Sequence, residues 1–331
     1  MNRNRASEVE PGHRLHPFYS HFLFLLRSVA FAIFGTVLVA HSQSVPPPDP
    51  QLNAASAQMR AFEKALQTDR SDAAARKNEV DAAVRFSLAE KREHREQAAL
   101  WLLLRARYWV PDDPDLLADL GVQEDYLKLF VDADKALAEA LRIRPNDLNT
   151  LYTVARVKMD LGQMQAAEQA WLSYIKQDPT NPAAYYGYGI VLQTLGRDDE
   201  ACSQFMLSIK ENPNQAESYY RLGEISRREG NKADARTQYE QALARNSTHG
   251  GALTGLAILN YEEKKYDEAE SELEAAIKSV PAYRTARYYH GLTLSKLGRK
   301  NEAEAELARA MQLSDKNELQ RQLVTQPYRP D

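Results

Sequence analysis

The chain has 331 residues, 44% hydrophobic and 27% charged, with a formal charge of −4 at pH 7. That apolar content excludes a wholly disordered protein, and the absence of excess Lys and Arg argues against sequence-independent nucleic-acid binding, which rests on neutralising phosphates. The single cysteine, Cys202, excludes an internal disulfide, a Cys-rich zinc site and a Cys-x-x-Cys-His haem attachment.

In chain order, the first feature is residues 22–40, FLFLLRSVAFAIFGTVLVA, the one strongly apolar stretch. Arg27 divides it and leaves residues 28–40 uncharged, a length that suits a signal-peptide core of about 7–15 residues better than a bilayer span of about 20. Ala40-His41-Ser42 places small residues for cleavage before Gln43, and arginines precede the stretch with none directly after it. Residues 1–42 therefore read as a cleaved signal peptide, or as a retained signal anchor if Arg27 snorkels to the interface. A buried helix of a soluble protein is the third reading, though the prolines that follow set the stretch apart. Either of the first two makes the body exported, periplasmic or anchored to an inner membrane, with membrane contact only through residues 22–40 if they stay. Residues 43–51, with Pro46-Pro47-Pro48, form a semi-rigid extended linker.

Residues 52–79 read as a divergent N-terminal cap: Phe62 to Leu66 ends a helix, Asp69-Arg70-Ser71-Asp72 turns, and the helix from Ala73 to about Arg92 is some two turns longer than its later counterparts. After that the sequence repeats every 34 residues. Proline recurs at Pro111, Pro145, Pro179, Pro213 and Pro281, with Ser247 in the gap. Alanine recurs without exception at Ala99, Ala133, Ala167, Ala201, Ala235, Ala269 and Ala303. One glycine series runs through Gly121, Gly189, Gly223 and Gly291, and a second through Gly162, Gly196, Gly230 and Gly298, broken by Lys264. Seven ungapped units follow: 80–113, 114–147, 148–181, 182–215, 216–249, 250–283 and 284–317. Residues 318–331 supply a short capping helix and a tail.

These series resemble the tetratricopeptide repeat (TPR) family, whose pattern is W-x2-L-G-x2-Y, A-x3-F and P. The unit with Tyr185, Tyr188, Gly189, Leu192, Ala201, Phe205 and Pro213 is the nearest match. The resemblance implies an all-α fold: a right-handed superhelical solenoid of TPR helix-turn-helix repeats. Each helix of about a dozen residues is too short to stand alone. The alanine sits where helices cross, the residue four on fills the inter-helix core, and the second glycine caps the first helix in a left-handed conformation that strains Lys264. Compact leader and ungapped repeats together suggest a bacterial protein.

The resemblance further implies a concave groove, lined by the first helix of each unit, that binds a protein or peptide partner. Tyr152, Tyr186, Tyr220 and Tyr288 share one groove-facing position, with Thr254 the exception; they either stack on a threaded peptide or simply pack on their neighbours. Beside them stand Arg156, Arg221, Glu224, Arg227, Arg228, Tyr261 and Tyr289. The arginines suit an acidic segment, unless Glu217 and Glu224 on the same helix neutralise them. The Lys/Asn clamp of the family's chaperone-tail binders is missing. Gly250, Gly251 and Gly255 read as a joint or as close packing, and Cys202 as a small buried core residue. No metal-ligand spacing unites His94, His249 and His290, and no phosphate loop, nucleophile elbow or His-Glu-x-x-His motif occurs, so neither metal nor cofactor is expected. The expected function is a non-catalytic protein-interaction scaffold, in envelope assembly or secretion. The alternatives are a structural or oligomerising element using the outer faces and array ends, and an enzyme or enzyme accessory without a recognisable site.

Overall fold

The computed structural model describes residues 50–313; the apolar stretch 22–40, most of the linker and the capping segment 318–331 lie outside the described residues. Among the described residues there are fifteen α-helices and no strand, and none of those helices is long and apolar enough to cross a membrane. The chain divides into two units, residues 1–61 and 62–331. Of the first, residues 50–61 are described and belong to α1 (Pro50–Thr68), which opens inside the expected linker on a proline, a residue suited to a first helical position.

The second unit is a helical repeat solenoid. Its first hairpin joins α2 (Ala73–Arg92) to α3 (Glu96–Trp109), and the next joins α4 (Pro114–Tyr126) to α5 (Phe130–Ile143). Then come α6 (Leu148–Asp160) with α7 (Met164–Gln177), and α8 (Pro182–Thr194) with α9 (Asp198–Glu211). The last three are α10 (Ala216–Arg228) with α11 (Lys232–Arg245), α12 (Gly250–Glu262) with α13 (Tyr266–Ser279), and α14 (Arg284–Lys296) with α15 (Lys300–Gln312). From α4 onward every first helix has 13 residues and begins 34 after the last. Helix α2 instead has 20 residues, because Asp72 accepts the Ala74 and Ala75 amides and starts it early. From α2 onward each helix packs on its chain neighbours, and most first helices also touch the first helix of the next unit, so the row of first helices forms the inner side of the curve.

Side chains explain the phase. Asp113, Asp147 and Asn181, spaced by 34, each cap a first helix by accepting an amide two or three residues on. Every hairpin turn holds one residue at positive φ, and the series is longer than its glycines: His94, Lys128 and Lys264 adopt φ of 56°, 64° and 64° beside four glycines. The amide after each closes the motif, as Gln163 does on the Lys158 carbonyl at 2.8 Å. Lys264→Gly is therefore expected to raise stability by about 0.5–1 kcal/mol, the left-handed penalty less the added freedom of the unfolded chain. An unmoved or lowered urea midpoint would contradict it.

The seven alanines are fully buried, 0% exposed except Ala303 at 3%. Four residues on, Leu103, Leu137, Trp171, Phe205, Tyr239 and Leu273 are buried too, while Leu307 in the last described helix is half-buried. A Cβ on Gly189 would lie 2.6 Å from the Phe205 ring, and one on Gly223 2.6 Å from Tyr239, so these glycines make room for the core residue of their own unit. Close packing also accounts for Gly255, where a Cβ would lie 2.4 Å from Tyr239, and for Gly251, 2.8 Å from Tyr220. Cys202 is only half-buried, at the edge of the core and not within it as expected, because its neighbour Ala201 takes the helix crossing.

Candidate functional site

The expected groove residues follow from helix geometry. In each first helix the fifth and ninth residues lie one turn apart on one face, and stacked helices set those faces in a row. The structure, however, does not leave the tyrosines as an open row. Tyr152 stands edge-on to Trp171 and Tyr174, with ring centroids 5.1 and 5.9 Å away. Tyr186 tilts onto Phe205 at 5.9 Å. Tyr220 is only 6% exposed, packed on His249 at 4.9 Å and Tyr239 at 6.3 Å. Tyr288 is the open member, 47% exposed, and Thr254 is buried and bonded to the Gly250 carbonyl. Tyr261 and Tyr289 meet edge-on at 6.0 Å, joining α12 to α14.

The charged positions separate just as clearly. Arg156 reaches back to Asp125 on α4 at 3.5 Å. Arg227 pairs with Glu224 one turn away at 3.2 Å, and the Tyr239 hydroxyl donates to the same carboxylate. Arg228 faces away from this group and pairs with Asp198 on α9 at 3.1 Å. Of the three arginines expected to hold an acidic segment, Arg227 and Arg228 are thus spent in ion pairs and Arg221 is not.

Arg221 sits at the centre of a cluster drawn from three units. Its guanidinium lies 5.6 Å from the Tyr220 ring, and its Nε is shielded from solvent with no hydrogen-bond partner. Burial alone lowers its pKa, but Tyr186, Tyr220 and Glu224 outweigh that and leave it raised, so the charge is permanent. The Tyr186 hydroxyl is likewise buried and is a hydrogen-bonding neighbour of the Arg221 guanidinium. Burial raises the phenol pKa of Tyr220 strongly and that of Tyr283, from the next hairpin, to about 12, so both remain neutral hydroxyls.

His249 completes the cluster in a role the sequence did not disclose. It takes the place in the frame where three earlier units carry a capping Asp or Asn, and its Nδ1 accepts the Ala252 amide at 3.0 Å. That bond fixes the tautomer: the ring proton sits on Nε2. Burial holds the His249 pKa down, with Glu217 opposing and Arg221 reinforcing, so the ring is neutral near pH 7. Nε2 is itself buried without a partner. The result is two buried donors without an acceptor, Arg221 Nε–H and His249 Nε2–H, beside the Tyr186 hydroxyl, which lies against the Arg221 guanidinium. A buried unpaired polar group costs about 1–3 kcal/mol, so the two together suit an acceptor from outside.

The inner side also has a hollow of about 870 Å³ between α2 and α4, which the sequence reading passed over. Its walls include Val84 and Leu88, with Lys77, Arg85 and Arg92 facing Asp81, Asp115 and Asp119. No pattern in residues 80–92 marks it.

A solenoid of helical hairpins in 34-residue phase defines an all-α repeat protein. Tetratricopeptide repeat models match residues 152–216 and 226–292, and the chain is a tetratricopeptide repeat protein. Its fold is similar to that of a tetratricopeptide repeat protein from Parabacteroides merdae, at 16% identity and TM-score 0.61, over 74% of this chain and 97% of that one. It is also similar to pilF of Pseudomonas aeruginosa, at 19% identity and TM-score 0.55, over 65% of this chain and 97% of that one. No curated protein matches the chain.

Proposed function

We propose that the protein is a non-catalytic scaffold that holds a segment of a partner protein along its inner face, seating an acceptor group of that segment, a carboxylate or a main-chain carbonyl, on Arg221, His249 and Tyr186. The supporting observation is the pair of buried donors without an acceptor, Arg221 Nε–H and His249 Nε2–H, with the Tyr186 hydroxyl beside them. Tyr288, Tyr289 and Tyr261 offer an aromatic shelf further along the same row for an apolar side chain of the segment. The place of work proposed with it is the bacterial envelope, in assembly or secretion, on the strength of residues 22–40 and the small residues before Gln43.

A photo-crosslinker at Tyr288, followed by mass spectrometry and direct titration of the captured partner, tests the reading. Arg221→Glu is expected to weaken binding more than about tenfold, or 1.4 kcal/mol. Tyr186→Phe, which removes only the hydroxyl, should weaken it about fivefold or more with an unchanged melting curve. Binding indifferent to both would move the function to the outer faces. N-terminal sequencing of the mature protein tests the location: a start near Gln43 is expected.

A further inference from the structure

Position seven of each first helix packs between hairpins and is apolar or aromatic throughout the array: Leu120, Val154, Tyr188, Leu222 and Leu256. The next member of the series is His290 on α14. It is 9% exposed, and neither ring nitrogen has a hydrogen-bond partner. Two glutamates from the preceding helix, Glu270 and Glu274 on α13, face it, one turn apart. One ligand atom from each of Glu270, Glu274 and His290 lies within 4.8 Å of the other two.

We propose that Glu270, Glu274 and His290 form a binding site for a divalent transition-metal ion of the zinc class, bridging the last two described hairpins. An imidazole with two carboxylates suits zinc and its first-row neighbours, whereas magnesium and calcium favour oxygen-only sets. Ligand atoms around tetrahedral zinc are about 3.3 Å apart, so the three groups need only close in, and Glu274, exposed at the mouth, swings freely. Water completes the coordination.

The surroundings fit an ion. Glu306, on α15, is already held by Arg287 and Arg309. Arg299 binds one oxygen of Glu270 and also holds Glu302, which orients Glu270 while leaving its other oxygen outside that bond. Without an ion, a buried imidazole with two idle nitrogens stands where a leucine would pack better.

Calorimetric titration of the tag-free full chain with ZnCl2 is expected to show one site, with MgCl2 and CaCl2 silent and CoCl2 giving visible bands of low-coordinate cobalt. His290→Leu, which restores the residue of Leu222 and Leu256, should abolish the site. Glu274→Gln, at an exposed position that cannot unfold the array, should weaken it more than about tenfold, the loss of a second-shell partner already costing that much. Absence of zinc binding, or zinc binding unchanged in either variant, overturns the proposal.

Discussion

Gly187→Thr is expected to destabilise the array by about 1–3 kcal/mol, and Trp171→Leu to rescue it when the two are combined. A Cβ on Gly187 would lie 2.4 Å from the Trp171 ring. That ring is 1% exposed, wedged against Tyr152 and Tyr174, with its Nε1 directed at Met159 Sδ at 3.4 Å, so it has nowhere to retreat. The preceding unit solves the same contact the other way, with Leu137 and Thr153 in the matching places. Tyr239 with Gly255 repeats the aromatic–glycine solution. Trp171→Leu alone should cost about 2–4 kcal/mol through the cavity it leaves. The double variant should then fall short of the sum by about 0.5–3 kcal/mol. Urea denaturation measures this, with the slope checked because repeat arrays can lose two-state behaviour. Simple additivity would mean that neighbouring units do not share this packing.

Glu79→Gln is expected to stabilise the protein at pH 8 by on the order of 2–3 kcal/mol and to change little at pH 4.5. Glu79 is fully buried on α2, and neither carboxylate oxygen has a hydrogen-bond partner. The nearby Arg105 is held by Glu63 at 2.6 Å. Burial first, then Glu63, pushes the Glu79 pKa up to about 7, against the weaker pull of Arg105. A folded pKa above the unfolded 4.5 means that the native state holds the proton more tightly. Its stabilising contribution is therefore complete below about 4.5 and fades as the pH climbs to about 7. Glu124, raised to about 7 chiefly by burial, adds a second group of the same sign. His249 and His290, with depressed values, act oppositely as the pH falls below 6.5. The test is accordingly the difference between Glu79→Gln and wild type across pH 4.5–8. A flat difference would show that Glu79 is ionised throughout.

The architecture follows from the order of residues alone, because the repeat acts through local physics. A 34-residue period places the crossing alanines, the proline breaks and the turn glycines, and each of those constrains its own stretch of backbone. Even there the period said more than residue type: His94 and Lys128 belong to the positive-φ series although neither is a glycine. The groove was legible as a side of the molecule and not as a site. Tyr220 looked equivalent to Tyr288, yet one is buried beneath His249 and the other open, and Arg228 looked like a partner of Arg221 yet pairs on the far helix. Which polar groups go unpaired is set by packing between the hairpins. Arg221, Tyr186 and His249 lie dozens of residues apart, as do Asp198 and Arg228, and whether two such groups meet depends on distances across stacked helices that no period encodes. His290 left a sign in the sequence, a polar ring in an otherwise apolar or aromatic series, but its meaning waited on the two glutamates that the preceding helix brings against it.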